Sequence, residues 1–548
     1  MESQRNFIFI ALLIVSLLLW QNWLLDKHQV NNDTVQLQNN ENYQEKNTMH
    51  FSDMNKEMIA SMDNVQIDRK NIEVQTDVLN VSISNYGGDI VFVSLPKFHV
   101  SQDNHAPLTL LHDENGEELY IAQSGLIGQN GLDNKLKRVL YRFEKDSYSL
   151  QADENELVVS LFYRDERNID YEKRFIFTRN RYDVKIEYRI HNHSQHDSLY
   201  VQMYTQLKRT IEDKSEKSFM MPIYRGGAYS TNHLRYEKYS FDKMKEKNLS
   251  EMDTGGWVAM LQHYFVSAWI PVEQEEHYFY SKVIDEKAII GLKGELVEIL
   301  PNEKRTLSSV FYAGPKDQDE LAQLSPTLNL VVDYGWLWFI AQPLYFLLKL
   351  FYQFLHNWGF AIVVLTLLIR GLLYPLTKAQ YTSMAKMRQL QPKLADLKSR
   401  FGDDRQKMSQ EMMELYRKEK VNPMGGCFPI LLQFPIFIAF YWVLLESVEL
   451  RHSPFILWIT DLSVKDPYYV LPLLNGVSMF IMQRMQPPMA TMDPLQQKMM
   501  QYMPVMFTFF FLWFPSGLVL YWLVGNIISI TQQIVIYRNL EKQGLYQR

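Results

Sequence analysis

The chain has 548 residues, 47% of them hydrophobic, yet its mean hydropathy is slightly negative, which excludes a wholly disordered chain and points to more than one domain. A single cysteine, Cys427, excludes an internal disulfide framework. The formal charge of −6 joins unlike parts, since Asp26 to Ile340 has 35 Lys/Arg against 49 Asp/Glu and Ala341 to Arg548 has 20 against 12, so two chemical environments are expected.

In chain order, Phe7 to Leu25 carries no charge and matches a bilayer span at about 1.5 Å per residue. No small-x-small cleavage site follows, so residues 1–25 are expected to be an uncleaved anchor. Residues 26–63, rich in Asn, Gln, Asp and Glu, form a flexible polar linker. Over 64–325 the pattern becomes period two, as in "ELVVSLFYRD" and "YEKRFIFTRNRYDVKIEYRIHN", punctuated by turn formers such as Tyr86-Gly87-Gly88-Asp89. A large exported antiparallel β-sandwich is expected there. The uncharged stretch "WVAMLQHYFVSAWIP", Trp257 to Pro271, is too short for a span and reads as buried strand.

Beyond Asp333 the alternation stops. Tyr334 to Pro375 contains only Lys349, His356 and Arg370 as ionisable side chains apart from tyrosines. This run holds either two spans or an interfacial helix followed by one; Trp336, Trp338, Pro343 and Lys349 suit the latter, over 326–357. Spans are then expected at 358–377, 425–445, 468–485, 496–514 and 517–537, six with the anchor. Loop charge supports that count. The segment 378–424 is strongly basic, 11 basic residues against 6 acidic from Lys378 to Lys420, and the tail 538–548 is basic, whereas 446–467 is acidic. With six spans both termini, the basic segment and the short loop 486–495 lie in the cytoplasm. The fold class is thus a polytopic α-helical core plus the exported sandwich.

Arg370 is a full charge in an apolar helix, which costs at least ~2.5 kcal/mol at the bilayer centre. Thr366, Arg370, Tyr374 and Thr377 would share one helix face. Other spans add Gln433, Asn475, Ser478, Thr508, and Asn526, Ser529 and Gln533 at i, i+3 and i+7, with Tyr521 and Trp522 one turn before. These residues either glue helices together or line a hydrated cavity. The membrane runs contain no acid apart from Glu446 at the end of one. A fixed positive charge without a buried anion suits attraction of acidic or polar segments better than proton cycling.

The basic segment reads as a cytosolic helical hairpin. Its apolar residues recur at Met384, Met387, Leu390, Leu394 and Leu397, break at Phe401-Gly402-Asp403-Asp404, and resume at Met408, Met412, Leu415 and Tyr416. Lys386, Arg388, Lys393, Lys398 and Arg400 are its candidate recruitment residues. "HNHSQHD", with His191, His193 and His196, could touch a metal but reads as a polar turn, so no metal ligand is assigned. Cys427 reads as packing, and no phosphate cradle or nucleophile elbow appears.

The stretches "RGLLYPLTKAQYTSMAKMRQLQPKL", "EKVNPMGGCFPILLQFPIFIAFYW", "DLSVKDPYYVLP" and "FFLWFPSGLVLYWLVGNIISITQQIVIYRNLEK" resemble the core of the YidC family of bacterial membrane protein insertases. The anchor followed by a large exported β domain is similar to its Gram-negative form. The resemblance implies a cofactor-free insertase with no turnover chemistry, placed in the cell inner membrane. It implies a hydrophilic groove open to cytoplasm and lipid in which Arg370 attracts polar or acidic parts of the incoming segment, with Thr366, Tyr521 and Trp522 nearby. Some relatives carry tyrosine where Trp522 stands, so an aromatic surface, not a phenol, is expected there. Implied partners are nascent membrane proteins, the Sec translocon and its accessory subunits, the ribosome and targeting machinery, and the lipid bilayer, with no direct DNA binding.

Overall fold

The computed structural model describes residues 69–114, 118–133, 138–211, 223–271, 275–401, 404–419, 428–485 and 494–543. The expected anchor 1–25 and linker 26–63, Cys427, and most of the loop 486–495 lie outside the described residues. Two compact units emerge. One is β-rich, runs to Asp333 and includes Glu446–Glu449; the other is helical, with Tyr334–Leu445 and the chain from Leu450 onward.

Among the described residues the β-rich unit has one sheet of ten strands and one of nine, paired antiparallel except where Asn71–Gln75 meets Ser147–Ser149. Strand Ile169–Thr178 shows how sequence becomes sheet: each second residue is buried, the period a one-sided strand requires. It pairs with Asp183–Asn192, which pairs on its other edge with Lys304–Pro315. Residues of both sheets share one core, Leu207 and Phe279 from the first with Phe175, Trp269 and Phe311 from the second. The Trp269 indole N–H donates across the layers to the Gln206 carbonyl at 3.0 Å.

The Trp257–Pro271 stretch is not one strand. It is a hairpin of Trp257–Leu261 and Phe265–Pro271, turned over Gln262–Tyr264, where the Gln262 N–H donates to the Phe265 carbonyl at 2.9 Å. Every residue of the first strand is buried, so neither face reads as amphipathic. The polar Gln262 and His263 mark the turn.

The Gly87-Gly88 turn is built around buried charge. Both glycines have positive φ, +73° and +65°. A Cβ at Gly87 would lie 2.3 Å from the Arg138 guanidinium carbon, and one at Gly88 would lie 2.8 Å from Lys173 Cδ. Arg138 pairs with Asp89 and with Asp133, at 3.2 Å, and donates to the Ser124 carbonyl at 2.9 Å. Lys173, fully buried, donates to the Gly87 and Ser124 carbonyls, each at 3.1 Å. Burial pushes its ammonium down to about 7, with Arg138 repelling it and Asp89 and Asp133 pulling the other way.

In the helical unit, Trp338–Leu355 is followed by Trp358–Leu372, Tyr374–Gln389, Gln391–Phe401 and Arg405–Lys418, then Phe428–Glu446, Val470–Met485, Pro494–Phe511 and Ser516–Lys542. The expected continuous span over 358–377 breaks. The helix ends at Leu372, and the next sets off at 61°. Pro375 explains the break: it lacks the N–H that would bond to Gly371, and its ring opposes a straight helix through that turn. Tyr374 and Thr377 therefore do not extend the Thr366–Arg370 stripe. Among the described residues, Ser516–Lys542 is the one helix that is alone long and apolar enough to cross a membrane; the bent pair passes as one broken span, and Gln433–Glu446 is a shorter apolar helix.

The faces of these helices are inverted relative to a water-soluble fold. Val470–Met485 buries Asn475, Gly476 and Ser478 and exposes Leu473, Leu474, Val477, Phe480 and Ile481. Pro494–Phe511 exposes Met499, Tyr502, Val505, Met506 and Phe509. Apolar outside and polar inside is the arrangement a hydrocarbon solvent selects.

Candidate functional site: a polar seam around Arg370

The last helix organises the seam because it presents two polar faces to two neighbours. Tyr521, Gly525 and Gln532 fall at i, i+4 and i+11 on one face; Asn526, Ser529 and Gln533 fall at i, i+3 and i+7 on the next. The first face meets the arginine. Arg370 Nη1 donates to Gln433 Oε1 at 2.9 Å, and Gln532 Nε2 donates to the Arg370 carbonyl at 3.1 Å. A Cβ on Gly525 would stand 2.7 Å from Arg370 Nη2, so a small residue is what lets the guanidinium lie against this helix. Among the described residues no carboxylate is paired with Arg370; its side-chain partner is a neutral amide.

Gln433 lies one turn before Phe437 and two before Phe440, so one face of Phe428–Glu446 carries all three. Tyr521 is buried against that face, its ring centroid 4.7 Å from Phe440 and 6.4 Å from Phe437. Trp522 points toward Phe437, Phe507 and Phe511, with centroids at 4.6, 6.3 and 5.4 Å. Its indole N–H is buried without a partner among the described residues.

The second face meets Val470–Met485. Asn526 Nδ2 donates to Asn475 Oδ1 and to Ser478 Oγ, both at 2.9 Å, and Gln533 Nε2 donates to the Met485 carbonyl at 3.3 Å. Ser529 is buried between them on the same face. Asn526 and Ser529 are thus brought together with Asn475 and not with Arg370. Thr366, 1% exposed, spends its hydroxyl proton on the Ile362 carbonyl of its own helix at 2.6 Å. Of the expected groove residues, the structure gathers Arg370, Gln433 and Tyr521 around one face of the last helix.

Sequence reasoning missed Gly525 and Gln532. A glycine inside an apolar helix signals close approach, yet period alone does not say which side chain approaches. Glu446, the one acid of the apolar runs and the residue that proton cycling would need, is accounted for structurally. It pairs with Lys316 at 3.2 Å, both buried and both within the β-rich unit.

The basic segment folds as short helices closed on themselves. Leu390 and Leu394 pack with Met387, Met412, Leu415 and Tyr416, and Lys393 Nζ bonds Glu419 Oε1 at 2.5 Å. Arg400 pairs with Asp396 at 2.8 Å, while Lys386 and Arg388 are half-buried. The side chain of Lys398 lies outside the described residues. At the base, Tyr381, Met384 and Ala385 pack against Ile536, Tyr537 and Leu540 of the last helix.

Comparison with known proteins shows the family. Residues 71–347 match the family model described as YidC periplasmic domain, and 350–543 match that described as 60Kd inner membrane protein. The chain is 56% identical to the membrane protein insertase YidC of Shewanella halifaxensis and 55% identical to that of Shewanella pealeana, each alignment covering 100% of both chains. A crystal structure of an active YidC insertase with its first transmembrane domain resolved aligns over 88% of this chain and 94% of that one, at 18% identity and a TM-score of 0.37; the assignment rests on the family models and the relatives. The chain belongs to the YidC family of membrane protein insertases.

Proposed function

We propose that the helical unit inserts membrane proteins by offering a segment's polar flank a fixed positive charge at bilayer depth. The observation that carries this reading is Arg370 held against a neutral amide and a glycine, its charge uncancelled by any paired carboxylate among the described residues. A buried arginine paired with a carboxylate would serve packing. One bonded to an amide keeps a field that attracts acidic or polar groups.

Trp522 Nε1, Gln532 Oε1, Gln533 Oε1 and Asn475 Nδ2 are buried without protein partners among the described residues, leaving hydrogen-bonding capacity for water or a passing polar segment. Such a wet, charged half-channel shortens the hydrocarbon path of a polar flank. The segment then leaves sideways because lipid solvates its apolar residues better than the groove does. Binding stays weak, since a tight groove would retain its product. The chain works in the inner membrane with six spans, both termini and the basic hairpin in the cytoplasm, and the β-rich unit exported. The hairpin, through Lys386, Arg388, Lys393, Lys398 and Arg400, receives clients from the ribosome and targeting machinery, and the exported unit cooperates with the Sec translocon.

The test is insertion of a single-span client with an acidic exported tail, read by protease protection in cells depleted of their own insertase. Wild type and Arg370→Lys are expected to insert it and Arg370→Ala to lose on the order of tenfold or more, about 1.4 kcal/mol. Normal insertion by an alanine variant that accumulates to wild-type level would overturn the charge mechanism.

A further inference from the structure

Outside the helical unit, one cluster of side chains has no place in insertion. Asp170, His191 and His193 bring one carboxylate oxygen and two ring nitrogens within 4.8 Å of one another on the solvent face of the nine-stranded sheet. Strand register creates the cluster. Asp170 stands directly opposite His191 in the antiparallel pair Ile169–Thr178 and Asp183–Asn192, and His193 follows His191 by two residues, on the same side. The imidazole centroids are 3.6 Å apart, and His193 Nε2 lies 2.9 Å from Asp170 Oδ2.

The support is rigid. Asn192, between the two histidines, points the opposite way and is fully buried, its amide donating to the carbonyls of Asp197, Ile299 and Leu300. Ser194 then closes the turn by donating to the Asp197 carbonyl at 2.6 Å. Across the neighbouring strand Arg164 grips the Asp170 carboxylate through Nε at 2.5 Å and Nη2 at 2.6 Å, orienting it as an outer-shell partner does. The charges around the cluster are Arg164 and Lys304, the latter opposite His191 on the other edge. Both oppose a cation, so affinity has to come from the ligand atoms.

We propose that Asp170, His191 and His193 form a surface site for a divalent first-row transition metal ion of the zinc or copper kind. Two imidazoles and a carboxylate are the ligand set such ions take, with a remaining position for water. Calcium and magnesium demand an oxygen-rich shell that this cluster lacks. A bound ion staples Ile169–Thr178 to the end of Asp183–Asn192 and leaves an open coordination position facing solvent. His196, three residues beyond His193 in the exposed turn, is not part of the cluster.

The experiment uses the tag-free full-length chain in detergent, titrated with zinc by calorimetry. One ion per wild-type chain is expected, with affinity reduced on the order of tenfold or more in His191→Gln and in His193→Gln and binding abolished in the double variant. Copper(II) loading read by electron paramagnetic resonance should show two nitrogen ligands in wild type and one in each single variant. Unfolding temperatures without metal establish that the variants are folded, and zinc should raise the wild-type value most, the single variants' less and the double variant's not at all. Equal zinc binding by wild type and double variant, or no zinc uptake by wild type, overturns the proposal.

Discussion

Arg370 was legible from sequence because a charge amid Val363–Leu373 has few structural excuses, whereas its setting was not. Its position depends on Gly525, where a Cβ would come within 2.7 Å of Nη2. The guanidinium tip is the far end of a flexible side chain and can shift to admit a methyl, so Gly525→Ala is expected to insert the acidic-tailed client nearly as wild type does. Gly525→Leu fills the space the guanidinium occupies and should break its bond to Gln433, with a loss comparable to Arg370→Ala, on the order of tenfold. Protease protection at equal accumulation decides. Wild-type insertion by the leucine variant would mean that the position of the charge is unimportant. Gln433→Leu is expected to cost less than either, because it removes an acceptor and leaves the charge in place. The partition of Asn526 from Arg370 follows the same logic: helical period says which residues share a face, but only the packed neighbours say whom that face meets.

Between elements, alternation announced the strands of the β-rich unit, and the Gly-Gly turn was visible as a turn. That two glycines there admit Arg138 and Lys173 was not, since the partners are separated by 51 and 86 residues. The Pro375 bend could have been read from its residue type, but the apolar run around it overrode the signal. Asp170 was likewise invisible beside His191 until the register was set. The buried turn network makes two predictions. Arg138→Met leaves Asp89 and Asp133 buried without their cation and is expected to destabilise the exported unit by ~3–5 kcal/mol, measured by denaturant unfolding of the full chain. Lys173 gives a pH dependence with a definite sign. Its ammonium titrates at about 7 when folded, against an ordinary 10.5. Between those values the unfolded chain holds a proton that the folded one does not, so stability rises with pH across that window and is flat, for this group, below it. The slope is on the order of 1.4 kcal/mol per pH unit at most. Raising the pH from 7 to 9 should therefore raise the unfolding midpoint more in wild type than in Lys173→Met; parallel curves would show that Lys173 does not carry the effect.

For the whole molecule, the acidic and basic halves separated by charge correspond to two compact units, and every residue of the Arg370 seam belongs to the helical one. Excision of residues 64–325, with the flanks joined by a flexible linker, should then leave insertion of the single-span client largely intact, whereas an enzyme housed in the sandwich would lose its activity outright. Lys316 falls inside the excised stretch and Glu446 does not, yet the two form a buried pair at 3.2 Å. Both belong to the β-rich unit, so the excision removes the surroundings that bury Glu446 along with its partner, and the carboxylate, returned to water, is expected to cost little. Glu446→Gln is therefore expected to leave accumulation of the truncated chain unchanged, whereas Lys316→Met in the full chain keeps Glu446 buried and should destabilise that chain by ~3–5 kcal/mol. If the truncated chain accumulates and inserts, transfer resides in the helical unit; if it accumulates and fails to insert this client, the exported unit takes a direct part in handling it.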